Sequence, residues 1–109
     1  NINTKIIACK TVREKNGIAL SSRNYLLTNN QKIIASKIYK LISRKKKYLI
    51  KNKNQLNQLR KDISNFGVKK IDYIEVLNIN KILKPFKKIK RYRIFIAYYL
   101  GSVRLIDNI

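Results

Sequence analysis

The stretch RIFIAYYLGSVRLIDN, Arg93–Asn108, decides the fold, because it holds two apolar runs joined by a tight turn. The first run, Arg93–Gly101, is almost continuously apolar, which is typical of a strand in the middle of a sheet. Gly101-Ser102 is a turn signal, and Ser102–Asn108 reads as a last strand. The sequence therefore predicts two adjacent strands at this end of the chain.

Two helices followed by one strand are predicted directly before this pair. Thr28 with Gln31 three residues later is a capping-box pattern, and apolar residues at helical spacing continue to about Tyr48. The basic cluster Arg44–Lys47 falls in the last turn of this predicted helix, where it suits the helix dipole. The apolar residues at helical spacing are Ile34, Ile38, Leu41 and Ile42.

A second amphipathic helix is predicted over Gln55–Phe66, with Gly67 at its C-terminal cap. Lys69–Asn78 reads as a strand, and Asn80–Phe86 reads as a short helical turn broken by proline. Helices followed by a run of strands favour an α+β fold, a small antiparallel sheet of about three strands covered by two helices.

The N-terminal part of the chain reads differently. Thr4–Val12 is rich in β-branched residues and is predicted to be a strand, followed by the turn signal Asn16-Gly17. We expect an irregular loop from Gly17 to Leu27. Within that loop lies S-S-R-N, Ser21–Asn24.

Composition limits the possible functions. A chain of 109 residues makes one domain at most, or part of a larger one. Nothing reads as a signal peptide or a membrane span. The single cysteine, Cys9, allows no internal disulfide, which fits a cytosolic chain, and it is expected to be a small core residue. Because histidine is absent and only five carboxylates occur, we expect no self-contained acid/base or metal site.

The net charge of +21 has two interpretations. Clustered Lys and Arg are typical of a nucleic-acid partner. However, Ile, Lys and Asn share A/T-rich codons and together make 51 of the 109 residues, so codon bias explains the lysine content as well.

The chemistry of Ser21, Ser22 and Arg23 suits a phosphate ligand. A guanidinium group offers forked donors to phosphate oxygens, hydroxyls donate further hydrogen bonds, and a nearby glycine allows the backbone to approach a ligand. Such donors stabilise negative charge on a departing pyrophosphate without an acid or base. Pattern alone is also consistent with a solvated loop that leads into a helix and binds no ligand.

The run TVREKNGIALSSRNYLLT, Thr11–Thr28, resembles the pantothenate synthetase (pantoate–β-alanine ligase) family. The resemblance continues in IDYIEVLN, in KILKP and in the ending YYLGSVRLIDN, in the order the family has them. The region resembles the C-terminal part of such an enzyme. It implies that residues 1–24 end an upstream Rossmann-like nucleotide-binding domain, to which the strand Thr4–Val12 belongs, and that residues 25–109 form a C-terminal lid domain.

The resemblance implies a two-step reaction. ATP and pantoate give pantoyl adenylate and pyrophosphate with Mg²⁺ carried by ATP, and the amine of β-alanine then displaces AMP to give pantothenate. Homodimers are typical of the family, and the single cysteine fits a cytoplasmic location. The resemblance does not include a specific nucleic-acid or membrane partner.

The resemblance also implies the residues that bind ATP. The Ser-Ser-Arg loop corresponds to the Lys-Met-Ser-Lys-Ser loop of class I aminoacyl-tRNA synthetases, so Ser21, Ser22 and Arg23 are expected to contact the phosphates, with Arg23 as the catalytic residue. Val12 and Leu20 are expected to contact ATP through backbone groups. No metal ligand is expected in this chain.

Three positions depart from the family pattern. Lys10 stands where the family usually has proline, Asn16 replaces an aspartate before Gly17, and Asn78 replaces an acidic residue. Since the family's histidine-bearing motif lies upstream, we expect the 109 residues alone to be inactive. Two alternatives remain open: a small basic RNA-binding module that stacks bases on Tyr92, Tyr98 or Tyr99, and a purely structural or dimerisation domain.

Overall fold

The computed structural model describes residues 11–79 and 91–109. Cys9, Lys10, the predicted turn Asn80–Phe86 and nearly all of the predicted strand Thr4–Val12 lie outside the described residues. The helices and strands are α1 (Asn29–Lys51), α2 (Leu56–Ser64), β1 (Lys70–Asn78), β2 (Tyr92–Leu100) and β3 (Val103–Asn108), with two 3₁₀ helices at Ser22–Leu26 and Lys53–Gln55.

The three strands form one antiparallel sheet in the order β1-β2-β3, which confirms the predicted α+β class. In its centre Ile96 pairs with Ile74 of β1 and with Asp107 of β3. A register irregularity between Ile71 and Tyr73 interrupts the pairing of β1 with β2. Each of these three strands begins and ends within one residue of its predicted bounds.

One face of the sheet and the two helices share the core. Both helices contact the sheet, α1 against β2 and α2 against β1. The largest fully buried side chains belong to both layers, as expected where each element buries one apolar face. They are Ile38, Ile42, Leu49, Leu59, Ile63, Ile94, Ile96 and Leu100.

Helix α1 begins at the predicted capping box. The Thr28 hydroxyl accepts from the Gln31 N–H at 3.1 Å, and the Gln31 side chain accepts from the Thr28 N–H at 2.9 Å. The helix ends at Lys51 instead of Tyr48, because Leu49 is buried in the core. The cluster Arg44–Lys47 therefore lies before the last turn, and its predicted place in that turn was wrong.

Helix α2 is shorter than predicted. It covers Leu56–Ser64, while the 3₁₀ helix Lys53–Gln55 occupies the position where a helical start was expected. The C-cap residue is Asn65, so the predicted cap at Gly67 was wrong. Gly67, with a φ of +103°, donates its N–H to the Ser64 carbonyl in the turn that follows the helix. No helix in the described part of the chain is long and apolar enough to cross a membrane.

The segment before α1 is more ordered than the predicted loop. Arg13 and Ala19 form an isolated antiparallel bridge around the turn at Asn16-Gly17. Gly17 has a φ of +93°, and the Asn16 side chain accepts from the Ile18 N–H at 3.1 Å, so this asparagine serves the turn as an aspartate does. We call residues 13–19 the entry hairpin; it leads into the 3₁₀ helix Ser22–Leu26, where an irregular loop was expected.

Candidate functional site

The predicted phosphate-binding residues lie together at the start of the 3₁₀ helix Ser22–Leu26. Ser21 caps this helix, because its hydroxyl accepts from the Arg23 N–H at 3.2 Å. Ser21, Ser22 and Arg23 are all exposed. Two hydroxyls and one guanidinium are therefore available to a ligand that approaches from solvent.

The Arg23 side chain reaches the edge of the sheet. Its Nη1 donates to the Arg104 carbonyl oxygen of β3 at 3.1 Å. No carboxylate in residues 11–79 or 91–109 lies within ion-pair distance of this guanidinium. Arg23 thus keeps an uncompensated charge and further donors, which suits an anionic ligand.

Val12 and Leu20 face each other across the open end of the entry hairpin. The Leu20 N–H donates to the Val12 carbonyl at 2.9 Å. Both side chains are about two-thirds exposed, at 67% and 65%. This hydrogen bond holds the backbones of the two residues side by side at the surface.

Two clefts flank Ser21. One, of about 350 Å³, lies between the entry hairpin, α1 and the sheet, and Arg23 and Arg104 line it. The other, of about 420 Å³, is a more open groove, and we call it the outer groove. Its lining residues are Glu14, Leu20, Ser21, Ser22, Asn24, Tyr25 and Lys32.

Arg13 fixes the entry hairpin to the end of the sheet. Its guanidinium binds the Asp107 carboxylate through two bonds of 2.7 and 3.0 Å and also donates to the Asn108 carbonyl at 2.9 Å. The same group lies 4.2 Å from the centre of the Tyr39 ring in α1. Sequence reasoning assigned no role to Arg13, although its place in T-V-R-E was the available signal.

Asn24 ties the loop to the entry hairpin. Its side-chain amide nitrogen donates to the Glu14 carboxylate at 2.9 Å and to the Ala19 carbonyl at 3.1 Å. Unlike the three residues before it, Asn24 is buried. Its role was also missed, although it completes S-S-R-N.

The described residues build an α+β unit with an exposed turn rich in hydrogen-bond donors. The pantoate–β-alanine ligase family model matches residues 1–109 of this sequence. The chain therefore belongs to the pantoate–β-alanine ligase family.

Similar proteins agree with this assignment. The chain is 38% identical over 112 residues to a pantothenate synthetase of Flavobacterium psychrophilum, covering 99% of this chain and 40% of that protein. It is 41% identical over 107 residues to a pantothenate synthetase of Francisella tularensis subsp. mediasiatica, covering 98% of this chain and 33% of that protein. The chain thus spans between a third and two fifths of the length of these relatives.

A solved structure shares the fold. The crystal structure of pantoate-beta-alanine ligase from Francisella tularensis, complexed with beta-gamma ATP and beta-alanine, superposes with a TM-score of 0.68 and 42% sequence identity. The match covers 99% of this chain and 34% of that chain.

The RNA-binding alternative gains no support from these findings. Tyr98, one of the tyrosines considered for base stacking, is 5% exposed and packs in the core. Burial, with a smaller effect from the Asp107 carboxylate, raises the pKa of its hydroxyl. Tyr98 is therefore a neutral core residue that offers no face to a base.

Proposed function

We propose that this chain is the C-terminal part of an ATP-dependent ligase that condenses pantoate with β-alanine. In the first step a pantoate carboxylate oxygen attacks the α-phosphorus of ATP, giving pantoyl adenylate and releasing pyrophosphate. In the second step the β-alanine amine attacks the acyl carbon, so that the amide bond forms, AMP leaves and a proton is lost from the nitrogen. The products are pantothenate and AMP, as in the biosynthesis of coenzyme A.

The observation that carries this proposal is the exposed Ser21–Arg23 turn in a chain that belongs to this family. In the proposal, Arg23 stabilises charge that grows on the departing pyrophosphate, and the hydroxyls of Ser21 and Ser22 fix its oxygens. In the same proposal, Val12 and Leu20 bind ATP through backbone groups. Mg²⁺ enters with ATP as part of the substrate and is held by the phosphates.

The proposed division of the chain places the end of the nucleotide-binding domain and the phosphate loop in residues 1–24 and the lid in residues 25–109. The bidentate contact between Arg13 and Asp107 crosses this division. In the proposal the loop therefore moves with the lid. A homodimer and a cytoplasmic location complete the proposal, the latter supported by the single cysteine of the sequence.

The test uses the complete gene product that contains this chain. With ATP, pantoate and β-alanine, we expect pantothenate and AMP, identified by mass spectrometry; with β-alanine omitted, pyrophosphate is still released. Omitting pantoate abolishes pyrophosphate release. Pyrophosphate release that does not depend on pantoate, or selective RNA binding at physiological salt without product, would contradict the proposal.

A further inference from the structure

Asn24 differs from the three loop residues before it, because it is buried and its side-chain nitrogen bonds to the protein interior. The side-chain nitrogen donates to Glu14 Oε2 at 2.9 Å and to the Ala19 carbonyl at 3.1 Å. The backbone N–H donates to the Ser21 carbonyl, and the backbone carbonyl accepts from Leu27, both at 3.2 Å. One residue therefore holds both the entry hairpin and the 3₁₀ helix that carries the donors.

The orientation of the Asn24 amide follows from its neighbours. Glu14 Oε2 and the Ala19 carbonyl oxygen are both acceptors, so the nitrogen faces them and the oxygen faces away. That oxygen is buried and has no hydrogen-bond donor within the described part of the chain. A buried acceptor without a donor costs folding free energy, so the bonds of the Asn24 nitrogen must hold the side chain in place.

We propose that Asn24 is a positioning residue that sets where Ser21, Ser22 and Arg23 stand relative to Val12 and Leu20. This inference rests on the proposed function. The first three residues bind the phosphates in that function, and the last two bind elsewhere on the same ATP. Asn24 and Glu14 fix the distance between these two groups of contacts, and a displacement of about 1 Å is enough to cost roughly 10²-fold in rate.

The variant Asn24→Asp tests this role with almost no change of shape. It replaces the donor by a carboxylate that faces the Glu14 carboxylate and the Ala19 carbonyl. Lys32 of α1 is the cation among the residues that line the outer groove. In the complete gene product at neutral pH, we expect kcat/KM for ATP to fall about 10²-fold. The KM for β-alanine should stay unchanged.

A second substitution, at Glu14, restores the hydrogen bond between residues 14 and 24 with donor and acceptor exchanged. In Asn24→Asp combined with Glu14→Gln, the glutamine amide donates to the new carboxylate, so we expect kcat/KM for ATP to recover at least tenfold over Asn24→Asp. Asn30→Asp adds the same charge at an exposed position of α1 and should stay within about twofold of wild type. Equal melting temperatures of wild type and variants would show that a loss of kcat/KM comes from lost positioning and not from misfolding.

Hydrogen exchange of the ATP-free protein tests the positioning by Asn24 without measuring the proposed activity. We expect the Arg23 and Asn24 amides to exchange about tenfold faster in Asn24→Asp and to recover in the double variant, whether or not pantothenate is made. Wild-type protein that makes no pantothenate overturns the proposed function and, with it, the ATP-positioning role. Near-wild-type kinetics of Asn24→Asp, or a folded double variant without recovery, overturns the positioning role alone.

Discussion

At the residue scale, Arg13 joins three segments of the chain through one guanidinium group. It donates to Asp107 and Asn108 of β3, to the Gly17 carbonyl of the entry hairpin, and lies over the Tyr39 ring of α1. Its side chain and that of Asp107 are 16% and 12% exposed, so solvent screens this ion pair little. Arg13 therefore holds the entry hairpin, and with it the Ser21–Arg23 turn, against α1 and β3.

Replacing Arg13 with alanine should destabilise the fold by about 3 kcal/mol, because it leaves the Asp107 carboxylate mostly buried without its cation. Urea denaturation, with hydrogen exchange of the β3 amides as the local probe, measures this loss. Lys45→Ala removes a more exposed ion pair with Asp62 and should cost much less. Equal losses in the two variants would contradict the anchoring role of Arg13.

At the element scale, the entry hairpin is the part that brings the loop to the sheet. Ile18 is buried in the core and the Ser36 hydroxyl donates to the Asn16 carbonyl, so the turn packs directly against α1. Gly17 lets the turn approach closely, since its φ is +93° and a Cβ there would collide with the Tyr39 ring. The position of Ser21–Arg23 therefore depends on a glycine four residues upstream.

Gly17→Ala should cost at least about 2 kcal/mol, the sum of backbone strain and displacement of Tyr39. Because Tyr39 also contacts Arg13, we expect faster hydrogen exchange at Glu14 and Leu20, whose amides bridge the hairpin. The matched control is Gly67→Ala, where φ is also positive but the nearest contact of a new Cβ is 3.8 Å from Ile34. A loss in Gly17→Ala no larger than in this control would contradict the close packing.

At the scale of the whole molecule, the sequence predicted best what is local. The capping box at Thr28 and the strand pair at Arg93–Asn108 depend on neighbouring residues and on apolar pattern, so both were visible. The 3₁₀ helix Ser22–Leu26 was missed, because a five-residue turn depends on the Ser21 cap and on buried contacts instead of periodicity. Arg13 and Asp107 are 94 positions apart, a pairing that no local pattern indicates.

The same contrast between local features and tertiary contacts holds for the candidate site. The residue types in S-S-R indicated a phosphate ligand, and the structure brings Ser21, Ser22 and Arg23 together on one exposed turn. The supporting residues Arg13 and Asn24 required tertiary contacts to be recognised. Contacts of ATP with this loop stay a prediction, since the relatives are more than twice as long as this chain.

The central claim is that Arg23 stabilises the pyrophosphate leaving group. The most direct measurement is single-turnover, pantoate-dependent pyrophosphate release by the complete gene product, comparing wild type with Arg23→Ala and with Arg44→Ala, an exposed arginine of α1. The account predicts a loss of about 10²- to 10³-fold for Arg23→Ala at an unchanged melting temperature, and a change within about twofold for Arg44→Ala. Near-wild-type pyrophosphate release by Arg23→Ala would contradict it.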